Sequence, residues 1–328
     1  MMTFEFTAEP DFDFLTSFSE QFGIRPADNK LLIPDALGEG SIRKIDFSDD
    51  FKLLIHHCTF REAFVLRRKA PTEMSDFVTV VFHSSALPNN RLSNRETSFE
   101  CQKVNNSCIE VSSNDLNSEI HFPAGLEIHF STVEIKASLL AEMLGQVNAN
   151  RVIETVTKGS NTFLYHFMMT PDFEKILRHL SEDNEPGPLG LFFYKLKIQE
   201  LFYLLFTKMI LRENKPQSNI NNSDITRLML VRSLILADLG VPPQLSALAR
   251  MAHMSETKMK LLFRQVFGDS IYNYYQNARM EEAALRLKQN KLSVSEVGYQ
   301  LGFSNLSHFS RLFQKHHGHT PKKFQSAG

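Results

Sequence analysis

Two stretches near the end of the chain repeat one pattern of polar, basic and aromatic residues. The first reads HMSETKMKLLFRQVFGDS (His253 to Ser270), and the second reads GFSNLSHFSRLFQKHHGHTP (Gly302 to Pro321). Lys, Arg, Asn, Ser and His side chains pair with phosphates and hydrogen-bond the edges of bases. The repeat therefore indicates a small nucleic-acid-binding device that the chain contains twice.

The charge of the chain is distributed in a way that fits this chemistry. The 328 residues are 42% hydrophobic and carry a formal net charge of −1. From Met1 to Arg227 there are 23 Lys and Arg against 31 Asp and Glu, whereas from Leu228 to Gly328 there are 13 against 6. A basic C-terminal part favours a negatively charged partner, of which nucleic acid is the first candidate. A solvated basic face is the alternative.

The first repeat has the signals of a helix, a short turn and a second helix. LSALARMA (Leu245 to Ala252) is a short amphipathic segment, and His253 and Met254 follow it as a turn. Ser255 is placed to cap a second helix that runs to about Phe267.

The second repeat has the same signals. Ser293 and Glu296 have the spacing of a capping box, Gly302 and Phe303 form the turn, and Ser304 is placed to cap the second helix. Helix, turn and helix is the plan in which the second helix enters the major groove of DNA. A plain helical hairpin is the alternative reading of either copy alone.

Small residues lie where the two helices of each unit must cross. Ala249 and Gly298 occupy the middle of the first helices, where a longer side chain would not fit. Gly302 suits a turn position with positive φ, but its counterpart His253 does not. We expect this His to cost about 1 kcal/mol unless its turn differs.

A long helix is predicted between the two units, from Ile271 to Asn290. Twenty helical residues span roughly 30 Å, and one turn of DNA is about 34 Å long. A stiff spacer of this length can hold two reading helices in successive major grooves.

The residues of both units and the spacer resemble the DNA-binding domain of the AraC/XylS family of bacterial transcription regulators. The resemblance rests on the Met-Ser pair and the spaced Met, Phe and Gly of the first unit, on RMEEAALRL in the spacer, and on GFSNLSHFSRLFQKHHGHTP with its final Gly-x-x-Pro. It covers about the last 95 residues. It implies a sequence-specific DNA-binding transcription regulator whose N-terminal domain senses an effector and dimerises.

By this resemblance, outward residues at the start of each reading helix face base edges. The implied base contacts are Glu256, Thr257, Lys258 and Lys260 in the first unit, and Asn305, Ser307, His308 and Arg311 in the second. Arg311 is the strongest candidate, because a guanidinium can pair with both acceptors of a guanine. The family usually has Arg where this chain has Leu261, which predicts weaker discrimination by the first unit. Leu306 is a candidate for contact with a thymine methyl.

Phosphate contacts are predicted at basic residues beside these helices. They are Arg264, Lys315, His316, Lys322 and Lys323. Phosphate contacts position a protein on DNA without specifying the sequence. For any one of these residues the alternative is a solvated surface side chain.

The N-terminal part is predicted to be β-rich. Residues 1–40 read as irregular, and 41–135 contain six short segments with β-branched and aromatic residues, which predicts an antiparallel, cupin-like barrel or sandwich. Residues 136–212 read as helical, including FLYHFMM (163–169). Ala86 to Ser98 is the most polar connection, and we expect a mobile loop there.

The fold class is therefore α+β, with an all-helical C-terminal domain. The predicted divisions are a sensor and dimerisation domain at 1–212, an Asn-rich linker at 213–224, and a DNA-binding domain at 225–328 with helix-turn-helix units at 245–268 and 293–318.

One predicted helix, LGLFFYKLKIQELFYLLFTKMILRE, is apolar on two sides. Phe192, Leu196, Tyr203, Phe206 and Ile210 share one side, and Leu191, Ile198, Phe202, Leu205 and Met209 share the other. One side can pack on its own domain and the other on a second subunit. A homodimer is the prediction, and a fully buried core helix is the alternative.

The β-rich part contains several candidate ligand-binding residues. Its histidines are His56, His57, His83, His121 and His129, but no His-x-His with a following Glu has cupin spacing, so no metal and no cofactor are predicted. An apolar pocket for a small organic effector is predicted instead. Arg43, Arg67 and Arg68 are candidates to pair with an anionic effector, although adjacent Arg67 and Arg68 point to opposite faces of a strand.

The remaining features exclude several classes of protein. Cys58, Cys101 and Cys108 fit no metal spacing, and the N-terminus has no signal peptide, so a reducing cytoplasm is expected. LFYLLF is too short to cross a membrane. We find no Gly-rich phosphate loop, nucleophile elbow or Cys-His arrangement, so an enzyme is not predicted.

The predicted partners are promoter or operator double-stranded DNA, a small-molecule effector, a second copy of the chain, and RNA polymerase if the protein is an activator. Two alternatives stay open. The N-terminal domain either only dimerises or docks a protein partner, or it is a cupin-type enzyme with a DNA-binding tail.

Overall fold

The computed structural model describes residues 1–9, 12–26, 29–72, 76–84, 107–145, 150–158, 162–181, 187–212 and 220–326. The chain divides into two compact units, of which the first ends at Asn222 and the second begins at Ser223. The predicted loop from Ala86 to Ser98, Cys101, and residues 213–219 of the predicted linker lie outside the described residues.

The first unit is built on β-strands. Those within the described residues are β1 (Met2–Thr7), β2 (Lys30–Leu32), β3 (Gly38–Ser48), β4 (Phe51–Phe60), β5 (Phe64–Lys69), β6 (Phe77–His83), β7 (Cys108–Ser113), β8 (Ser118–Phe122), β9 (Glu127–Lys136) and β10 (Leu164–Met168). Its helices are α1 (Phe14–Phe22), α2 (Ala137–Leu144), α3 (Arg151–Thr157), α4 (Pro171–Ser181) and α5 (Gly190–Ile210).

The strands form two sheets. The larger is antiparallel with the order β10-β7-β6-β9-β4-β3-β2, and the smaller has the order β1-β5-β8, in which β1 and β5 are parallel. Neither order closes on itself within the described residues, so the predicted cupin-like barrel is not confirmed. Apolar residues from both sheets, such as Phe4, Phe64 and Phe130, pack into one buried cluster between them.

The prediction of irregular structure for residues 1–40 is wrong. Phe4 of β1 is buried among the rings of Phe14, Phe18 and Phe22, which lie one helical turn apart on α1. A strand of six residues and a helix of nine are too short to give a strong periodic pattern, and mutual packing of aromatic rings stabilises both.

The prediction of a helix at FLYHFMM is also wrong, because Leu164–Met168 is strand β10. Leu164, Tyr165, His166 and Phe167 are all buried. A strand that is buried on both faces loses the alternation of polar and apolar residues and cannot be distinguished from a buried helix by its pattern.

The other face of the large sheet is covered by α2 to α5. On α5, Ile198, Leu201, Leu205 and Met209 lie in this core. Two residues of α5 differ from the side with which they were grouped. Phe206 is buried, unlike the exposed Phe192, Leu196, Tyr203 and Ile210 of its side, and Leu191 is exposed, unlike the buried Ile198, Phe202, Leu205 and Met209 of its side, because it lies at the first turn of the helix.

The second unit consists of helices. They are α6 (Asn222–Ala237), α7 (Leu245–Met251), α8 (Glu256–Phe267), α9 (Ile271–Lys288), α10 (Val294–Gln300), α11 (Leu306–His317) and α12 (Pro321–Ser326). Helix α6 begins at Asn222, so residues 222–224 are helical, whereas we predicted them in the linker. In the described part of the chain, no helix is both long enough and apolar enough to cross a membrane.

Candidate nucleic-acid interface

The two helix-turn-helix units have the same turn. In the first, the Met254 amide donates to the Ala249 carbonyl at 2.9 Å, and in the second the Phe303 amide donates to the Gly298 carbonyl at 3.0 Å. These residues are separated by 49 positions in both cases. The repeat seen in the sequence is therefore also a repeat of backbone geometry, with a left-handed residue after each first helix.

The residue with positive φ is His253 in the first unit and Gly302 in the second, with φ of 50° and 76°. The turn of the first unit thus does not change to suit its histidine. Because a side chain on a left-handed residue crowds the backbone, His253 retains the strain that the sequence predicted.

Glycines of the second unit lie against neighbouring backbone and side chains. A Cβ on Gly298 would be 2.7 Å from Leu306 Cδ2 and 3.2 Å from Phe309 Cδ1, so the helices α10 and α11 meet so closely that a larger residue would require these side chains to shift. A Cβ on Gly302 would overlap the carbonyl oxygen of Gly240. The position of Leu306 against α10 gives this side chain a packing role, in contrast to the predicted contact with a thymine methyl.

The second turn is one residue longer than the first. Ser255 caps α8 through its contact with the Lys258 amide, whereas α11 is capped by Asn305, whose Oδ1 accepts from the His308 amide at 3.0 Å. The prediction that Ser304 caps this helix is therefore wrong, because the added residue moves the cap by one position. The capping box of Ser293 and Glu296 is confirmed.

Beyond the turn the two units match at a separation of 50 residues. Met259 corresponds to Phe309, Phe263 to Phe313, and Gly268 to Gly318, and each pair has the same buried or capping position. On this scale Leu261 corresponds to Arg311. Leu261 is 50% exposed, so an apolar side chain occupies the outward position that holds a guanidinium in the second unit.

Helix α9 packs against both units and spans about 27 Å at 1.5 Å per residue. The Tyr274 ring packs against Phe263 of α8 with centroids 5.4 Å apart. The Arg279 Nε donates to the Leu301 carbonyl at the end of α10, at 3.0 Å. The spacer therefore has a separate anchor for each helix-turn-helix unit.

Arg279 is a residue whose role the sequence did not reveal. It is 4% exposed, and its guanidinium lies 3.7 Å from the ring centre of Phe303. Burial lowers the pKa of this side chain. An Arg on an otherwise apolar helical stripe was the signal that could have indicated a buried contact with a helix end.

The predicted base contacts of the first unit are largely paired with protein groups. Lys258 Nζ lies 2.6 Å from Asp224 Oδ1, a carboxylate that is almost fully buried on α6. Lys260 Nζ lies 3.0 Å from Glu256 Oε2 on the next turn of α8. Thr257 is exposed.

The predicted base contacts of the second unit are more available. Ser307, His308 and Arg311 are exposed at the start and first turns of α11. Within the described part of the chain, Arg311 has no hydrogen bond or ion pair. The oxygen of Asn305 is used in the cap, which leaves its amide nitrogen for DNA.

The predicted phosphate contacts all lie on the surface, at Arg264, Lys315, His316, Lys322 and Lys323. Partial burial is the main cause that lowers the pKa of His316, and the neighbouring His317 and Lys315 act in the same direction. His316 is therefore largely neutral at pH 7, and we expect it to contribute less than the three lysines.

The histidines of the N-terminal compact unit, which ends at Asn222, are in different environments. His57 lies 3.0 Å from Glu127 and His121 lies 2.6 Å from Glu119 at exposed or half-exposed positions, whereas His56 and His83 are buried. Burial lowers the pKa of His129, and the nearby His57 lowers it further.

One set of three candidate metal ligands lies among the described residues of the N-terminal compact unit. His83, Cys108 and Glu110 have ligand atoms within 4.8 Å of one another. His83 and Cys108 are paired across β6 and β7, so strand register brings together residues that the spacing of cysteines did not connect.

Residues 248–327 match the sequence profile of the family described as "Helix-turn-helix domain". The Msm operon regulatory protein of Streptococcus mutans is 29% identical over 133 residues, which are 40% of this chain and 47% of that protein. The DNA-binding dual transcriptional regulator Rns of Escherichia coli is 35% identical over 97 residues, which are 29% of this chain and 35% of that protein.

A solved structure is also similar. It is a transcriptional regulator of the "AraC-type DNA-binding domain-containing proteins" from Chromobacterium violaceum, 27% identical, with a match that covers 32% of this chain and 95% of that chain at a TM-score of 0.30. The chain spans less than half the length of either curated relative. The predicted resemblance to the AraC/XylS family is confirmed for the C-terminal part of the chain.

Proposed function

We propose that this chain, which carries an AraC-type helix-turn-helix domain over residues 248–327, is a sequence-specific DNA-binding transcription regulator. In each subunit, α8 and α11 occupy two successive major-groove segments. The observation that carries the proposal is the second copy of one turn and reading helix, joined to the first by a helix of about 27 Å, which is shorter than the roughly 34 Å of one DNA turn but of the same scale.

The two reading helices contribute unequally in this proposal. Lys258 and Lys260 are held by Asp224 and Glu256, whereas Arg311 has an exposed guanidinium. A guanidinium that is not paired within the protein can form two hydrogen bonds with a guanine without losing an ion pair. The second unit therefore contributes most of the base discrimination.

The direct test is selection of bound fragments from genomic DNA with the full-length protein, followed by gel-shift titration of the selected sites. We expect sites with two conserved blocks about one helical turn apart, and an affinity that falls steeply with salt. Enrichment of no common sequence, or a single conserved block, would contradict the proposed two-groove reading.

The proposal includes a homodimer formed through α5. Leu189, Leu196, Tyr203 and Ile210 lie seven residues apart and are exposed by 69%, 48%, 71% and 42%. Apolar residues at a seven-residue interval occupy one of the two seam positions in each heptad of a coiled coil. We infer that the occupant of this stripe is the same helix of a second copy, since an isolated apolar stripe of this length is costly in water.

The first unit is the sensor in this proposal. A ligand that binds between its two sheets changes the DNA-binding activity of the protein, and contact with RNA polymerase would follow at promoters where the protein activates. Gene expression from a selected promoter, with and without the ligand, tests this regulation separately from DNA binding.

A further inference from the structure

A cavity lies between the two sheets of the N-terminal compact unit. It contains about 790 Å³ of empty space, part of it open to solvent. Its walls come from the large sheet on one side and from β1, β5 and β8 on the other, with Phe12 and Phe14 at one end.

Strand register divides this cavity into a polar and an apolar end. Lys52, Glu134 and Thr79 are paired across β4, β9 and β6 and line the polar end. Four residues further along β4 and β9, His56 and Phe130 are paired and stacked, with ring centres 4.0 Å apart. The space therefore fits a molecule with one polar and one apolar end.

Arg68 enters the polar end from the smaller sheet. It is 9% exposed, and its Nη2 donates to the Asn114 carbonyl at 2.9 Å. Its Nε has no hydrogen-bond partner, and among the described residues no carboxylate oxygen lies within the 4.0 Å of an ion pair. Glu134 lines the same end and attracts the guanidinium without forming an ion pair, but Lys52 lines this end as well. Two cations beside one carboxylate leave an excess of positive charge, so this arrangement favours an anion that arrives from outside.

The neighbouring Arg67 provides the contrast. It lies on the opposite face of β5, as the alternation of a strand predicts, and contacts Glu119 at 2.7 Å and Glu5 at 3.0 Å. The two adjacent arginines thus have different environments: Arg67 forms ion pairs with two carboxylates at the surface, and Arg68 is buried without an ion pair to any described residue.

A second donor lies at the same end of the cavity. Thr79 is 3% exposed, and its hydroxyl has no hydrogen-bond partner in the part of the chain that the structure describes. Lys44 also lines the cavity, but it is paired with Asp13 and with Asp46, the latter at 3.1 Å. Within the described residues, the buried donors at this end that lack an acceptor are therefore the Arg68 Nε–H and the Thr79 hydroxyl, and the half-buried Lys52 beside them has no ion pair.

We propose that this cavity binds a small carboxylic acid with an apolar body, whose carboxylate contacts Arg68 and Thr79 and whose body lies against Phe14, His56 and Phe130. A carboxylate supplies acceptors for both donors and balances the excess positive charge of Arg68 and Lys52 over Glu134. The aromatic walls exclude water from the body of the ligand and pack against it. The assignment of this acid as the effector rests on the proposed function.

Binding is tested by calorimetric titration of the full-length protein with 3-phenylpropionate and octanoate, each beside its primary amide. The two acids distinguish an aromatic from an aliphatic body. We expect at least one acid to bind, and its amide to bind at least about tenfold more weakly. Equal affinity of acid and amide, or no binding of either acid at millimolar concentration, would overturn the proposal.

Variants locate the carboxylate. We expect Arg68→Met to weaken acid binding by about tenfold or more and Thr79→Val to weaken it by less, whereas the matched control Arg67→Met leaves it unchanged. Wild-type affinity in Thr79→Val would show that this hydroxyl does not contact the carboxylate. Wild-type affinity in both cavity variants would overturn the proposal. Thr79→Val keeps the shape of its side chain, so it serves if Arg68→Met does not fold.

DNA binding is measured on the same preparations by gel shift. Acid binding without DNA binding would refute the proposed regulator and leave the cavity assignment standing. DNA binding without acid binding would refute the cavity assignment and leave the proposed regulator standing.

Discussion

Arg279 on α9 donates to the carbonyl oxygen of Leu301, the last residue before the turn of the second helix-turn-helix unit. The same guanidinium stacks on Phe303 of that turn. The C-terminal carbonyls of a helix lack partners within the helix, so one arginine both completes α10 and fixes it to the spacer.

This contact predicts that Arg279→Ala destabilises the second helix-turn-helix unit. The variant leaves a buried carbonyl unsatisfied and removes the packing on Phe303, which we expect to cost about 2–4 kcal/mol of unfolding free energy. Chemical denaturation followed by circular dichroism measures this cost. Arg286→Ala is the control, because Arg286 pairs with Glu282 near the surface and should cost less than about 1 kcal/mol.

The two turns predict opposite effects of exchanging their left-handed residues. Gly302→Ala should cost more than about 2 kcal/mol, because its Cβ would overlap the Gly240 carbonyl at a φ of 76°. His253→Gly should raise the stability by about 0.5–1 kcal/mol, because it relieves a left-handed residue that carries a side chain. Thermal denaturation of both variants checks the signs, and a loss of stability in His253→Gly would contradict this account of the first turn.

Unequal reading by the two units predicts different effects at equivalent positions. Arg311→Ala should weaken binding to a selected site by about 1–3 kcal/mol and relax preference for a base at one position. Leu261→Ala, at the corresponding place on α8, should change affinity by less than about 0.5 kcal/mol. Gel-shift titrations against the selected site and single-base variants measure both. Equal losses would show that the two helices share the discrimination.

The burial of His56 predicts that the N-terminal compact unit loses stability in acid. Burial lowers the pKa of His56 to about 3, whereas an unfolded histidine titrates near 6.5. Between these values the unfolded chain binds the proton and the folded chain does not. The contribution of neutral His56 to the free energy of unfolding is thus fully present above pH 6.5. It decreases as the pH falls below this value, by up to about 1.4 kcal/mol per pH unit.

The corresponding measurement is denaturation of the wild type and His56→Phe at pH 7 and pH 5. Phe keeps the stacking on Phe130 without a titrating group, so we expect its loss between the two pH values to be smaller by up to about 2 kcal/mol. Parallel losses in the two proteins would show that other groups cause the acid sensitivity.

The exposed stripe on α5 predicts that charge on this face dissociates the dimer. Leu196→Glu and Tyr203→Glu should each convert the protein to monomers at micromolar concentration without loss of folding, because both side chains are exposed in the monomer. Analytical ultracentrifugation measures the association state. Lys195→Glu reverses the sign of an existing exposed charge beside the stripe, without placing a charge on the apolar stripe itself, and should leave the dimer intact. A wild type that is monomeric would refute the interface.

The C-terminal half was readable from sequence because its signals are local. Ser255 and Ser293 cap helices in the positions that their spacing predicts, and Gly302 has the positive φ that its turn requires. The error at Ser304 had a local cause as well. One added residue moved the cap to Asn305, and a comparison that assumed a fixed interval between the copies did not detect it.

The N-terminal half was less readable because its signals depend on pairing. The six predicted strands between 41 and 135 correspond to β3, β4, β5, β6, β7 and β9. Strand β10 was mistaken for a helix, since both of its faces are buried. Strand β1 was missed because its stability comes from parallel pairing with β5, about sixty residues away.

By itself, the sequence determined the doubled helix-turn-helix units, their caps, and the basic charge of the part that contains them. These features depend on residues within one or two helical turns of each other. Only the tertiary structure decided that Arg67 forms ion pairs with two carboxylates while Arg68 is buried without an ion pair to a described residue, and that Lys258 is held by Asp224 while Arg311 is exposed. Such environments depend on groups far apart in the chain, because burial and charge pairing are set by which strands and helices come together.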